Sequence, residues 1–343
     1  MNKIWIHSVR TYISIGIFFY FKRVEVYGIK NIPKEKPVLF LGNHQNALLD
    51  ALLIGTKCGR SSYFLTRAAV FKKPLVSKLL HSLQMLPVYR IRDGWSNLTN
   101  NNAIFDACTS LFKNNEAVVI FPEGSHNLVR RVRPLSKGFT RIVFDTLETY
   151  PELDIQLIPV GLNFVNAKGF PDSAAMYFGT PISSREFVTE NRNHDVIHLK
   201  SRIKEELSSL TTNIPEEKYD TILNKLNDIQ VDFLNPKAVN ACIQSNFEDC
   251  SKALKPSNKF LKSFFKNLLI LNILVPYLLW SNAFKPKIKE PEFTATFRFA
   301  IALTLVPIYL IIITVILTLT TSLLFGLCYF FIVLLIALLA VKL

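Results

Sequence analysis

A histidine and an aspartate lie close together in the segment 43–50, between an apolar run that predicts a strand (37–42) and one that predicts a helix (51–54). Loops at such corners of α/β folds expose side chains while a rigid scaffold holds them. If Asp50 accepts the N–H of the His44 ring, the other ring nitrogen is available as a base, as in a Ser-His-Asp triad that lacks its serine. Such an enzyme takes its nucleophilic hydroxyl from the substrate, which indicates acyl transfer to an alcohol.

The spacing of this pair restricts how it can work. His44 and Asp50 are six residues apart, and on a continuous helix six residues turn by about 600°, which places them on opposite faces. We therefore expect His44 in the turn before the helix and Asp50 near the helix start. The alternative interpretation is an Asn-His turn beside an unrelated surface aspartate.

A second candidate site follows the short apolar strand predicted at 117–121. The strand leads into the loop Pro122–Asn127, and buried parallel strands that end in such loops are where α/β sheets bind ligands. The loop contains Glu123, Gly124 and Ser125, and basic residues follow it at Arg130, Arg131, Arg133 and Lys137. Arginine presents a planar set of donors that suits phosphate oxygens, so the cluster predicts a phosphorylated substrate. The alternative is a solvated basic loop.

Two further blocks complete a pattern. Residues 85–94 combine a predicted strand with a basic turn, and the apolar strand predicted at 155–162 is interrupted by Pro159. Taken in chain order (43–50, 85–94, 117–127 and 155–162), the four blocks resemble the phospholipid/glycerol acyltransferase family, which includes glycerol-3-phosphate and lysophosphatidate acyltransferases. The resemblance covers roughly residues 24–181, and four ordered blocks are specific where any one is not.

The resemblance implies a role for each block. His44 would be the base and Asp50 its partner, as the residues alone also suggest. Arg90 and the pair Glu123–Gly124 would hold the glycerol phosphate. Pro159 would lie near the acyl chain.

The chain departs from most family members at two places. Five residues separate His44 and Asp50 where most members have four, and Ser125–His126 replaces a Thr-Arg pair. Both variants are similar to the fungal branch that acylates glycerol-3-phosphate or dihydroxyacetone phosphate. Because an arginine is missing here, we expect Arg90 plus at least one of Arg130, Arg131 and Arg133 to contact the phosphate. His126 is either a second phosphate donor or a turn residue.

Strand and helix patterns alternate through this region and predict an α/β fold with a largely parallel sheet flanked by helices. We expect an acyltransferase domain over 24–211 and a helical connector over 212–258. The predicted strands are 37–41, 63–66, 86–89, 117–121, 155–162 and 176–178. The predicted helices are 47–56, 75–83, 97–111, 138–149, 195–210 and 216–233.

The C-terminal part predicts a transmembrane helical hairpin. No residue between Phe299 and Val341 is charged, and as a helix this run would be about 64 Å long, enough to cross a bilayer core of about 30 Å twice. We predict spans near Ala300–Thr318 and Ser322–Val341. The segment 264–281 contains Pro276 and is followed by a basic loop. Because basic loops stay cytoplasmic, we expect an interfacial or re-entrant helix rather than a third span.

The N-terminal segment 1–23 is rich in aromatic residues, and its uncharged run is too short to span a bilayer. We predict an interfacial helix that lies in the headgroup layer, and a helix that covers the sheet is the alternative. It does not resemble a secretory signal.

The net charge of +14 calls for an acidic partner. No helix-turn-helix, zinc-finger or RNA-binding pattern accompanies the charge, so anionic lipid headgroups are preferred over nucleic acid. The five cysteines are odd in number and show no short paired spacing, which predicts neither a disulfide nor a zinc site and suits a reducing cytosol.

The sequence thus predicts a multi-pass membrane O-acyltransferase with its catalytic domain on the cytoplasmic face. It would transfer a fatty acyl group from acyl-CoA or acyl carrier protein to glycerol-3-phosphate or its 1-acyl product, without a metal or another cofactor. One alternative is a non-catalytic lipid-binding protein of the same fold. The other is a membrane lipid hydrolase, which would need a nucleophile beside His44.

Overall fold

One mixed sheet forms the centre of the protein, in a computed structural model that describes residues 3–90, 99–253 and 259–343. Its strands follow the order β1-β7-β6-β2-β5-β3-β4, and β8 pairs with β6. β6 runs antiparallel to β7 and β8 and every other pairing is parallel, which confirms the predicted largely parallel sheet. The strands are β1 (Phe21–Tyr27), β2 (Val38–Gly42), β3 (Ser62–Arg67), β4 (Met85–Val88), β5 (Ala117–Ile120), β6 (Gln156–Phe164), β7 (Asp172–Phe178) and β8 (Ile182–Ser183).

Helices cover both faces of the sheet. The central strands β2 and β5 are continuous apolar runs that are buried along their whole length, as parallel strands between two helical layers must be. Val38 and Phe40 face one layer, whereas Leu39 and Leu41 face the other. The first layer contains α1 (Lys3–Tyr20) and α2 (Ala47–Lys57), and the second contains α4 (Asn101–Lys113), α5 (Gly138–Thr149) and α6 (Arg192–Leu210). The short helix α3 (Pro74–Ser82) connects β3 to the edge strand β4.

Three strands differ from the prediction, and one of them, the two-residue strand β8, was not predicted. We predicted no strand before residue 37, but β1 starts directly after α1 and pairs in parallel with β7. β7 begins at Asp172 rather than 176, although its first half is built from Ser173, Ala174 and Ala175. These small residues have low strand propensity, and their burial between β1 and β6 decides their conformation.

Pro159 is tolerated inside β6 because the antiparallel partner of the strand changes there. Before it, Leu157 pairs with β8, and after it, Val160 pairs with β7. A proline has no N–H to donate to a ladder, and at this junction none is needed. Its carbonyl accepts a hydrogen bond from the N–H of Gly179 at 2.9 Å.

The predicted connector folds into a small hydrophobic cluster of its own. Helices α7 (Tyr219–Ile229) and α8 (Pro236–Gln244) enclose it. α7 ends earlier than predicted because Gln230 adopts a left-handed conformation with φ of 61° and caps it. The last predicted residues of the connector, 254–258, lie outside the described part of the chain.

The prediction of no disulfide is wrong. Cys242 and Cys250 are bonded, with a Cα–Cα distance of 4.7 Å. The chain reverses after α8 through Asn246 and Phe247, both with positive φ, and this turn returns Cys250 to the end of the helix. Such a reversal cannot be inferred from an eight-residue spacing. Because disulfides are rare in the cytosol, the cysteine content no longer argues for a reducing compartment.

Two C-terminal helices are long and apolar enough to cross a membrane, in agreement with the predicted spans. They are α11 (Phe293–Thr320) and α12 (Leu323–Lys342), joined by a tight turn at Thr321 and Ser322. Gly326 allows them to approach closely, because a Cβ there would lie 2.2 Å from Thr318 Oγ1. At the far end of α12, Lys342 Nζ donates to the carbonyl of Phe21, 2.7 Å away, where β1 begins.

The segment before the hairpin is sharply bent. α9 (Lys259–Asn272) is followed by α10 (Leu274–Leu278) and by a π-helical turn at Leu279–Phe284. The helical segments Phe260–Asn272 and Leu274–Lys287 are bent by 98° relative to each other. Such a pair is either a broken span or a re-entrant loop, and the interfacial or re-entrant assignment stays a prediction. α9 packs on α12 through Leu269, which contacts Ile336 and Ala340.

The disulfide yields a first prediction. Alkylation of the unfolded but unreduced protein should modify only Cys58, Cys108 and Cys328, and reduction should release the other two thiols for mass spectrometry. Cys250→Ser should lower the free energy of unfolding of the α7–α8 cluster by about 2–3 kcal/mol, because a closed loop restricts the unfolded chain. Five reactive thiols before reduction would contradict the pairing.

Candidate active site

The predicted contact between His44 and Asp50 is present. His44 lies in the turn after β2, and Asp50 lies in the first turn of α2. Their Nδ1 and Oδ2 atoms are 2.8 Å apart. The Asp50 side chain is fully buried and that of His44 is 17% exposed, so the ring can meet a substrate while its partner cannot.

The chain between His44 and Asp50 contains one unusual backbone conformation. Ala47, the first residue of α2, has φ of 40°, which residues other than glycine rarely adopt. The turn directs the N–H of Asn46 to Asp50 Oδ2 at 2.7 Å, so one carboxylate oxygen accepts from both Asn46 and His44. The expected geometry, with the chain leaving helical conformation between His44 and Asp50, is confirmed.

Asn43 fixes the turn to the sheet, a role that the sequence did not reveal. Its side-chain amide donates to the carbonyl of Leu162 at 3.0 Å, and its side-chain oxygen accepts from the N–H of Leu162 at 2.7 Å. These bonds extend the β2–β6 pairing by one residue through a side chain. The only available signal was an asparagine at the end of a buried strand.

The His44 ring is also held by aromatic contacts. It stacks on Phe121 at the end of β5, with ring centroids 4.1 Å apart and planes 14° apart. The His126 ring meets it edge-on at 5.7 Å. With its Nδ1 hydrogen assigned to the bond with Asp50, Nε2 carries the lone pair that a base needs.

The predicted block that contains Arg90 and the one that contains Glu123 meet at the loop 122–127, called the Glu123 loop below. Gly124 has φ of 70°, a conformation that favours glycine, and its carbonyl accepts from Arg90 at 2.9 Å. Glu123 is buried and pairs with Arg133 Nε at 2.6 Å. Arg133 also donates to the hydroxyl and to the carbonyl of Ser125. The predicted basic turn beyond Arg90 lies outside the described residues.

Burial shapes the electrostatics of this loop. It raises the pKa of the Glu123 carboxyl, and the charge and hydrogen bond of Arg133 oppose that shift. The N–H of Asn127 donates to the carbonyl of His44 at 3.0 Å and links the two candidate segments directly. Glu123 holds Arg133 in the same loop.

The other predicted basic residues are directed elsewhere. Arg130 donates to the carbonyls of Phe164 and Val165 at 2.9 and 2.8 Å, and burial lowers its pKa to about 10. Arg131 pairs with Glu216, with Nη2 and Oε1 2.7 Å apart. Lys137 is exposed just before α5. Of the three arginines, the structure brings only Arg133 into the Glu123 loop.

His126 connects this loop to the segment that leads into the first long apolar helix, α11. Its Nε2 lies 2.9 Å from a carboxylate oxygen of Glu290, and its ring contacts that of Phe293 at 4.5 Å. Both partners lie at the start of α11. The contact was not predicted, and the two roles considered for His126 remain untested. Within the described residues, no group of three or more His, Cys, Asp or Glu side chains is placed to hold a metal ion.

The left-handed conformation of Ala47 gives a second prediction. Ala47→Gly should be tolerated better than Ala47→Val, because a left-handed backbone costs an L-residue about 1–2 kcal/mol and a β-branched one more. At Ala51, one turn further along α2, the order should reverse, since glycine is the poorer residue in a helix interior. Thermal unfolding of the four purified variants measures both orders. The same order at both positions would contradict the assigned backbone.

Comparison with known proteins places similarity in the region that contains this site. Residues 23–163 match the family model described as Acyltransferase. An uncharacterized acyltransferase of Schizosaccharomyces pombe is 22% identical over 62% of this chain and 44% of its own length. The chloroplastic 1-acyl-sn-glycerol-3-phosphate acyltransferase of Brassica napus is 27% identical over 43% and 40%. Glycerol-3-phosphate O-acyltransferase 1 of Saccharomyces cerevisiae is 26% identical over 32% and 15%.

The matched region thus spans less than half the length of each of these curated relatives. Among solved structures, the 1-acyl-sn-glycerophosphate acyltransferase PlsC of Thermotoga maritima aligns with a TM-score of 0.41 and 21% identity, over 59% of this chain and 79% of that one. His44, Asp50, Arg90, Glu123 and Pro159 all lie inside the range that matches the family model. Residues 23–163 therefore resemble a domain of the acyltransferase family.

Proposed function

We propose that this chain is a membrane-bound O-acyltransferase that transfers a fatty acyl group from an acyl thioester to a hydroxyl of a phosphorylated glycerol. The observation that carries the proposal is the 2.8 Å contact between His44 and Asp50, next to the loop that holds Arg90 and Arg133. A base oriented by a buried carboxylate lies beside cations that suit a phosphate. This combination fits an alcohol substrate that carries its own phosphate.

In the proposed reaction, His44 Nε2 removes the proton from the glycerol hydroxyl as the oxygen attacks the thioester carbonyl. Asp50 stabilises the imidazolium that forms and keeps the ring in one orientation. The tetrahedral intermediate then collapses and breaks the carbon–sulfur bond. The leaving thiolate receives the proton from His44, which restores the free base.

The glycerol phosphate would bind at the Glu123 loop. Arg133 is held in place by Glu123 and Ser125, and such pre-ordering lowers the entropic cost of binding an anion. Arg90 reaches the same loop from the end of β4, so the two guanidinium groups approach it from different elements. A dianionic phosphate between them would form charge-assisted hydrogen bonds.

The contact of His126 with Glu290 and Phe293 supports a substrate that belongs to a membrane. It places the Glu123 loop next to the start of α11, the first of the two apolar helices. A lipid in the bilayer could then present its phosphate to the loop while its acyl chain stays among apolar groups. The acceptor would be glycerol-3-phosphate or its 1-acyl product, and the donor acyl-CoA or acyl carrier protein. The basic loop with Lys285, Lys287 and Lys289 supports a cytoplasmic catalytic face.

The two alternative functions, a non-catalytic lipid-binding protein and a membrane lipid hydrolase, lose support. The irregular spacing of His44 and Asp50 was the argument for a non-catalytic lipid-binding protein, and the observed contact removes it. A hydrolase needs a serine activated by His44. The Ser125 hydroxyl instead accepts from Arg133, and the Ser61 hydroxyl donates to Gln84.

The decisive test is an assay of the full chain in membranes with acyl-CoA or acyl carrier protein and each acceptor in turn. His44→Ala should reduce turnover by about 10²- to 10⁴-fold, the usual contribution of general-base catalysis, without loss of membrane association. His194→Ala, at an exposed histidine on α6, is the matched control and should leave the rate unchanged. A near-normal rate for His44→Ala would refute the mechanism.

Phosphate recognition is tested separately. Arg90→Ala should raise the KM for the phosphorylated acceptor by roughly 10- to 150-fold, because a charge-assisted contact is worth about 1.5–3 kcal/mol. The KM for the acyl donor should change far less. Arg131→Ala is the control, because that guanidinium pairs with Glu216 instead of reaching the loop. An effect of Arg90→Ala on the donor alone would move the acceptor site elsewhere.

A further inference from the structure

Helix α3 lacks the buried face that a helix in a globular domain normally has. None of its nine residues is buried, although five of them are Leu, Val or Pro. Leu75 is 84% and Leu79 49% exposed, and Val76 and the preceding Val70 are exposed as well. An amphipathic helix gains most of its stability by burying its apolar side. This apolar side is covered only in part by the described residues.

Charge distinguishes this segment from an ordinary exposed helix. Residues 68–82 contain Lys72, Lys73 and Lys78 and no acidic residue. All three lysines are exposed beside the apolar side chains. Leucine and valine flanked by lysine is the composition of helices that lie in the headgroup layer of a bilayer.

The apolar surface continues onto the N-terminal end of α1. Trp5 Nε1 donates to Ser82 Oγ at 3.2 Å, which places the first turns of α1 beside the end of α3. Trp5 and Ile4 are themselves exposed. We call the exposed side chains of both helices the α1–α3 patch: Ile4, Trp5, Val70, Lys72, Lys73, Leu75, Val76, Lys78 and Leu79.

The direction of α1 places this patch relative to the membrane helices. Tyr20, at the end of α1, contacts Ala295 near the start of α11. Tyr12, which comes earlier in α1, donates to the carbonyl of Leu303, which comes later in α11. The two helices are therefore antiparallel. Arg298 is the last charged residue of α11. Followed from its end to its start, α1 runs in the same direction as α11 does beyond Arg298.

The N-terminal turns of α1 extend past Leu303 in the direction of the apolar span. From Tyr12 to Trp5 the helix advances about 10 Å. α3 lies at that end of α1. The patch is thus on the membrane side of the domain, on the sheet face that α1 and α2 cover.

We propose that the α1–α3 patch is a membrane-contact surface that docks on a leaflet containing anionic phospholipids. Leu75, Val76, Leu79 and Trp5 enter the boundary between headgroups and acyl chains, and the three lysines contact lipid phosphates. The inference rests on the proposed placement of α11 and α12 in the bilayer. It assigns to the acyltransferase domain a lipid contact of its own, separate from the helical hairpin.

Site-specific fluorescence tests the proposal on the full chain. Cys328, the exposed free cysteine, is first replaced by alanine, and an environment-sensitive fluorophore is then attached through Leu79→Cys. The protein is reconstituted in vesicles of phosphatidylcholine and phosphatidylglycerol in equal parts, with and without doxyl-labelled lipid as quencher. The fluorophore at position 79 should lose about half of its emission, because interfacial helices bury their apolar face about 5–10 Å into the boundary region.

Two matched labels make the outcome unambiguous. Ile197→Cys carries the fluorophore on α6, where the side chain is 69% exposed on the opposite face of the sheet, and it should not be quenched. Leu319→Cys, near the end of α11, should be quenched if the hairpin is inserted. Quenching at 319 with no more quenching at 79 than at 197 would overturn the membrane-contact surface while leaving the proposed hairpin intact. No quenching at 319 would show that the hairpin placement itself had failed, and the inference with it.

The role of the lysines has its own test. Reversing their charge, as Lys72→Glu, Lys73→Glu and Lys78→Glu together, should reduce quenching at position 79 in these anionic vesicles. Lys204→Glu, an exposed lysine on α6, should have no effect. Unchanged quenching in the triple variant would overturn the assignment of anionic lipid as the partner.

Discussion

The arrangement of the site depends on one oxygen atom of a fully buried carboxylate. Asp50 Oδ2 accepts from the His44 ring and from the N–H of Asn46. A buried charge is costly unless it is paired and hydrogen-bonded, so these two donors must be supplied together. Only a turn that leaves β2 and reverses at Ala47 supplies both. The same turn is fixed to β6 by Asn43, which couples the orientation of the base to the central strands.

Much of the fold follows from local sequence patterns. The apolar runs that became β2 and β5 are buried on both faces, and such strands require helices above and below them. The uncharged C-terminal run could only form two helices, for reasons of length. The first half of β7 was missed because its small residues have low strand propensity and are held extended by pairing with β1 and β6. β1 was missed although Val24, Val26 and Tyr27 favour a strand. The disulfide was missed because it depends on a reversal at Asn246 and Phe247, and a phenylalanine rarely adopts the positive φ that this turn requires.

The candidate site, like the fold, could be predicted from the sequence only in part. His44, Asp50, Arg90 and Glu123 could be named because each lies in a block next to a predictable strand. Which arginine would join Glu123 could not be predicted, because the loop has no periodicity that orients one side chain rather than another. Burial of Glu123 selects Arg133, since that carboxylate needs a nearby cation. The contact between His126 and Glu290 joins residues 164 positions apart, and no local pattern contains such information.

The close packing at Gly326 has a consequence for how the protein would find its substrate. Because the two apolar helices touch at their turn, they form one unit whose ends return to the same side. Lys342 then ties the end of α12 to the first strand of the sheet, while Tyr20 and Arg298 tie the start of α11 to α1. Because the domain is bonded to both ends of the helical hairpin, it cannot move away from the hairpin as a flexibly linked domain could. In a bilayer, encounter with a lipid would thus be a two-dimensional search, governed by lateral diffusion within the leaflet rather than by excursions of the enzyme into water.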